Sequence, residues 1–210
     1  MTQKGSCARP LLPTQGNLSC TFAVMTRQNP PRLCVYCASH FGSDPALQQS
    51  AQTVGDLLVA KGIDLVFGGG QVGLMGVVAD AAMAGGRHVI GVIPSSMLDR
   101  EIGHQGISEL MVVKDMAARK NAMFQAADAF LTLPGGIGTM EEMFEMLSWG
   151  YLHLHNKPMG LLNVNGYYDS LIEFLDGSVQ LGMTSVRARE LLIVDSDPER
   201  LIDLLLPQEV

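Results

Sequence analysis

The chain has 210 residues, 47% of them hydrophobic and only 17% charged, with a formal net charge of −7. That composition supports a sizeable core and excludes disorder for most of the chain; its acidity excludes the basic stripe that polymeric nucleic acid or an anionic membrane surface requires. No run reaches the ~18 consecutive apolar residues of a membrane span, and four unevenly spaced cysteines are too few for a disulfide-dense mini-protein. A reduced, cytoplasmic, globular protein is expected.

Residues 1–31 differ from the rest. They hold four of the ten prolines and no acid; the first acid is Asp44, preceded only by the basic Lys4, Arg9, Arg27 and Arg32. Two readings fit this composition: an organelle transit segment, or a flexible extension ahead of a compact chain that Met25 would open. The stretch has neither a run of arginines nor an amphipathic stripe, which favours the extension. The domain is expected to span residues 32–207.

From Arg32 the pattern alternates strand, loop and helix. Residues 33–38 form an apolar run of strand length. Asp44-Pro45 reads as an N-cap followed by proline at the first helical position. Leu47, Ala51, Val54, Leu57 and Leu58 then trace a helical stripe that Gly62 ends. The next strand, 63–67, stops at Gly68-Gly69-Gly70. A helix over 73–84, a strand over 88–93 and a polar loop over 95–109 follow. The second half predicts strands at 110–113, 129–133, 159–163 and 191–194, and helices at 116–127, 139–152, 167–179 and 198–206. Short apolar strands separated by helices imply a parallel sheet buried on both faces. The fold class is therefore α/β, a doubly wound Rossmann-like sheet between helices, with ligands beyond the carboxyl ends of the strands.

Both glycine clusters fall at those ends. Pro134-Gly135-Gly136-Ile137-Gly138-Thr139 lies between a strand and a helix. Its backbone N–H groups can converge on an anion, aided by the positive end of the helix dipole. It is neither a P-loop nor a dinucleotide fingerprint, and a tight turn that binds nothing is the plain alternative. Gly68-Gly69-Gly70-Gln71-Val72-Gly73 is a second loop of this kind, with Gly69 and Gly70 the positions a ligand would approach.

Glu142 shares a helical stripe with Met146 and Trp149, and Arg119 shares one with Met116 and Met123. Charges on inward faces need a partner. Glu142 reads as a salt-bridge partner or a catalytic carboxylate. Arg119 pairs with it, binds ligand, or lays its stem along apolar surface. Glu141 and Glu145 form a separate, solvated line, and Lys120 points about 100° away from Arg119. Cys34 and Cys37, three apart on a strand, face opposite sides and read as buried thiols. His153 and His155 do not share a face, so no metal site is expected. Lys61, Lys114, Lys120 and Lys157 are poor Schiff-base candidates.

The motifs together resemble the LOG family, the cytokinin-activating phosphoribohydrolases often labelled lysine decarboxylases. Residues 134–142 fit its Pro-Gly-Gly-x-Gly-Thr-x-x-Glu signature. The likeness extends over about 170 residues, through Val35-Tyr36-Cys37-Ala38-Ser39, the Gly68–Gly76 loop, Gly91-Val92-Ile93-Pro94, Ala118-Arg119-Lys120-Asn121-Ala122-Met123 and Leu161–Tyr168. The resemblance implies a Rossmann-like homodimer that hydrolyses the N-glycosidic bond of a nucleoside 5′-monophosphate without metal or organic cofactor. It places Arg119 and Glu142 at catalytic positions. Lys120, Gly135, Gly136, Gly138, Thr139 and Glu141 fall at nucleotide-binding positions, Glu101 and Ser148 match more weakly, and Ser39, Gly69 and Gly70 join the expected substrate contacts. One departure is Ala117, where the family usually has histidine in Met-His-x-Arg-Lys. A molybdenum-cofactor carrier has a similar fold and loops; the Arg119–Glu142 pair favours the enzyme.

Overall fold

A computed structural model describes residues 29–98 and 102–207; the N-terminal extension, except its last three residues, and Glu101 lie outside these. Seven strands form one sheet in the order β4-β3-β2-β1-β5-β6-β7. They are β1 (Arg32–Tyr36), β2 (Asp64–Phe67), β3 (Val89–Pro94), β4 (Glu109–Val113), β5 (Ala129–Thr132), β6 (Met159–Leu162) and β7 (Leu192–Asp195). Every pairing is parallel. The α-helices among the described residues are α1 (Pro45–Lys61), α2 (Gly73–Ala84), α3 (Met116–Ala126), α4 (Ile137–Tyr151), α5 (Asp169–Gln180), α6 (Val186–Glu190) and α7 (Pro198–Leu205). None is long and apolar enough to cross a membrane.

Local chemistry accounts for the element ends. Asp44 accepts from the Ala46 N–H at 2.9 Å and caps α1, and Gly62 closes it at φ +68°, a conformation that glycine adopts without a Cβ penalty. Asp115 caps α3 by accepting from Ala118 N at 2.8 Å. Asp197 caps α7 in the same way.

Strand alternation divides the core into two layers. Leu33, Val35 and Cys37 of the β1 region pack with α1, α2 and α7. Cys34 and Tyr36 point to the other face, against Met123 of α3, Met143 and Met146 of α4 and Leu175 of α5. Each fully buried side chain of this size contributes about 1.5–3 kcal/mol relative to exposure. The two cysteines are free, buried and on opposite faces, as their spacing requires.

Two readings are corrected. The helix expected from Thr139 begins at Ile137, so Gly136 is its N-cap and Gly138 lies in its first turn. Glycine disfavours a helix interior by only about 1 kcal/mol, and the buried stripe of Met143 and Met146 outweighs that. The stretch between α5 and β7 contains α6, capped by Ser185 accepting from Ala188 N at 3.1 Å. Five residues are too short for a 3.6-residue period to register.

The chain order places the site. From β1 the strands proceed to β4 on one side, then restart at β5 on the other side of β1. The loops that follow β1 and β5 therefore diverge, leaving a crevice at the carboxyl edge between them.

Candidate active site

The loop from β5 into α4 is braced through its carbonyls. Tyr168 Oη donates to Leu133 O at 2.7 Å, Ala38 N to Pro134 O at 3.2 Å, and Tyr167 Oη to Gly135 O at 3.0 Å. Three consecutive peptide groups are thus held from behind. The first N–H groups of α4 have no intrahelical acceptor, and they open onto the crevice with the helix dipole behind them.

The three glycines of this loop serve different ends. A Cβ on Gly135 would lie 2.2 Å from Thr139 Oγ1, so that residue is small because a side chain of the protein occupies its space. Gly136 and Gly138 would meet nothing within 4 Å, and neither has a positive φ. Packing leaves both unexplained, although Gly136 suits its N-cap position. What a side chain there would fill is the crevice.

Across the crevice, Arg119 on α3 is 4% exposed. A buried guanidinium must be hydrogen-bonded, and its Nε donates to Val92 O at 3.1 Å and its Nη2 to Gly68 O at 2.8 Å. Its Nη1 lies 3.8 Å from Met97 Sδ and 4.0 Å from Met116 Sδ. These carbonyls belong to β3 and to the residue after β2, so Arg119 takes its position from the sheet edge. Nothing in that placement requires a histidine at position 117, where Ala117 is exposed.

Glu142 stands one turn beyond Gly138 on α4, half-buried, with its charge close to the end of β1. Burial first, and then the Glu142 charge, push the thiols of Cys34 and Cys37 well above the usual range. Glu141 and Glu145 are not simply solvated, as their line on the helix implied. They clamp Lys120: its Nζ contacts Glu141 Oε1 and lies 3.0 Å from Glu145 Oε2. Partial burial pulls the Lys120 ammonium down, but hydrogen bonds and charge from the two glutamates outweigh it and raise its pKa. The clamp ties α3 to α4 and so fixes Arg119 and Glu142 relative to each other.

Between these elements lies a cavity of about 320 Å³ whose wall includes Arg119, Glu142, Glu141, Gly136, Gly138, Thr139 and Ser39. The remaining expected residues stand elsewhere. Gly135 faces an adjoining cavity beside Tyr167. Gly69 packs on β3, where its Cβ would sit 3.0 Å from Val92 N, and Gly70 is buried beside it. Lys120 backs the wall through Glu141. Ser148 is exposed nearly three turns further along α4. The wall also includes Cys37, Gly68, Met75, Met97, Met116, His40 and Ile137, none of which the sequence pattern marks as a contact. Met116 had a signal, since it shares the Arg119 stripe. Met97 had none.

A family profile described as "Possible lysine decarboxylase" matches residues 75–205. The cytokinin riboside 5′-monophosphate phosphoribohydrolase LOG7 of Arabidopsis thaliana is 47% identical over 177 residues, covering 84% of this chain and 82% of its own. The chain belongs to the LOG family. LOG3 of Arabidopsis thaliana, which carries the same enzyme name, is 45% identical over 83% of this chain and 81% of its own. Among solved structures, the molybdenum cofactor binding protein from Rippkaea orientalis aligns with a TM-score of 0.65 at 22% identity, over 85% of this chain and 96% of that one. The molybdenum cofactor carrier protein from Chlamydomonas reinhardtii gives 0.63 at 20%, over 86% and 100%. At such identities the likeness is one of fold. The decarboxylase description does not suit the LOG cavity: among its described lining residues there is no lysine amine for a Schiff base, and Lys120 is committed to two glutamates.

Proposed function

We propose that this LOG-family chain hydrolyses the N-glycosidic bond of a nucleoside 5′-monophosphate, with adenine or an N6-modified adenine as base, to free base and ribose 5-phosphate. The observation that carries the reading is the pair of glycines with open space beside them, Gly136 and Gly138, sharing one cavity with Glu142 on the same helix and with Arg119 on the opposite wall. The 5′-phosphate sits on the N–H groups at the start of α4, with the Thr139 hydroxyl beside it. Binding energy collected there, away from the reacting C1′–N bond, positions the ribose. As the C1′–N bond lengthens, positive charge grows on the ribose ring, as in other glycoside hydrolyses. The Glu142 carboxylate stabilises that charge and accepts a proton from the attacking water. The water oxygen bonds to C1′, and the base departs with the bonding electrons and takes up a proton. Arg119, anchored at the sheet edge, holds phosphate or ribose oxygens. AMP itself is the simplest substrate of this class.

The chain acts as a symmetric homodimer in a reducing cytoplasm. Supporting the dimer are apolar side chains exposed around the ends of α4, α5 and α6, among them Leu154 at 64%, Leu181 at 78% and Met183 at 85%; such surface is covered in most proteins. The free thiols Cys34 and Cys37 suit the compartment. Incubation with a panel of nucleoside monophosphates and identification of the released bases tests the activity. Equal turnover of AMP and adenosine would remove the phosphate role of α4, and tight nucleotide binding without base release would favour a carrier. Light scattering at micromolar concentration tests the dimer, which fails if only a 22.6 kDa species is present.

A further inference from the structure

The glycine turn after β2 is tied down from the side away from the cavity. His104 is 3% exposed, and its Nε2 lies 2.9 Å from Asp80 Oδ1 on α2. Its Nδ1 accepts from Gly106 N at 3.2 Å, so Nε2 is the ring nitrogen that carries the proton and donates to Asp80. The ring edge meets Phe67 of β2 at 6.5 Å between centroids. The backbone of the same segment is stitched to the turn. His104 N donates to Gly69 O at 2.9 Å and Gln71 N to Ile102 O at 2.9 Å, while Gly103 bridges Gly70 in antiparallel fashion.

The next carbonyl along that turn, Gly68 O, receives Arg119 Nη2 at 2.8 Å. Asp80 is the one charged residue in α2, and its side chain is 69% exposed. The buried imidazole beneath it takes a side-chain partner from this carboxylate.

We propose that Asp80 and His104 form a positioning pair for the reaction. They hold residues 102–106 on the Gly68–Gly70 turn, set the direction of the Gly68 carbonyl, and through it fix the Arg119 guanidinium. Neither residue lines the cavity, so both act through the turn. The inference rests on the reading of that cavity as the site of nucleotide hydrolysis.

The test is steady-state base release from AMP by the wild type, D80A, D80N, H104A and the D80A/H104A double variant, with melting temperatures on the same preparations. Asp80 itself is exposed, but D80A leaves the buried His104 Nε2–H without its carboxylate, so the melting temperature falls by about 2–4 °C. Its kcat falls about tenfold, the order expected of a small misplacement remote from the chemistry, while KM rises by less, because the cradle on α4 is a separate element and Arg119 is shifted rather than removed. D80N keeps an acceptor oxygen in place and returns kcat to within about twofold of the wild type. The double variant is no slower than H104A, since coupled residues are non-additive. Wild-type kcat in D80A, or losses that multiply in the double variant, would overturn the proposal while leaving the hydrolase reading intact. So would a loss that follows the melting temperature and is not rescued by D80N. No base release by the wild type would overturn the hydrolase reading, and this one with it.

Discussion

Gly68 and Arg119 fit as acceptor and notch: Nη2 of Arg119 donates to Gly68 O at 2.8 Å, and a Cβ on residue 68 would lie 2.2 Å from that same nitrogen. The glycine is required by close approach, since its φ is not positive. Gly68→Ala is therefore expected to displace the guanidinium and lower turnover by about tenfold or more, with an overpacking cost of about 1–3 kcal/mol. Steady-state rates and thermal melts check this. Wild-type turnover in that variant would separate Arg119 from the reaction.

Replacing Glu142 tests the charge itself. Glu142→Gln keeps the shape of the side chain and is expected to remove about 3 kcal/mol of transition-state stabilisation, a loss near 10²-fold in kcat. KM changes little, because the phosphate cradle is intact. A Glu142→Gln protein that melts lower yet releases base at the wild-type rate would make Glu142 scaffolding.

Arg119→Ala removes the donor from two buried carbonyls, those of Gly68 and Val92. Each orphaned acceptor costs about 1–3 kcal/mol, so stability falls together with kcat and affinity. Arg119→Lys does not rescue it, because an ammonium lacks the planar fork that reaches both carbonyls. Recovery of full activity by lysine would show that charge alone suffices.

The glycines of the cradle separate folding from binding. Gly138→Ala meets nothing within 4 Å and lies in a helical turn, so it is expected to leave stability unchanged or raise it by up to about 1 kcal/mol. KM for the nucleotide rises about tenfold or more, because the methyl group occupies the anion site. Gly135→Ala does the opposite to the fold, colliding with Thr139 at 2.2 Å. An unchanged KM in Gly138→Ala would move the phosphate elsewhere.

Burial raises the thiol pKa of Cys34 and Cys37 far above the usual range, so at pH 8 both remain protonated; Cys34 is fully buried, whereas Cys37 borders the cavity. A thiol reagent should titrate at most two of the four cysteines in the native protein and all four after denaturation. Rapid native labelling of Cys34, located by peptide mapping, would contradict its place in the core layer against α3 and α4.

The alternation of strand and helix, the Asp44 and Gly62 ends of α1, the opposite faces of Cys34 and Cys37, and the inward placement of Arg119 are legible in the chain alone. All follow from local rules, namely side-chain period, capping chemistry and the conformational range of glycine, that act over one or two turns of chain. Even there α4 starts two residues earlier than its pattern indicates, because packing outweighs the local cost of a helical glycine. Tertiary structure alone decided which glycine of each loop meets what. Gly68, rather than Gly69 or Gly70, reaches the cavity, and its partner Arg119 is 51 residues away. The clamp on Lys120 spans 21 residues and the His104–Asp80 pair 24. Contacts at such separations arise when the sheet closes and brings distant segments together, and no periodicity within either segment encodes the meeting.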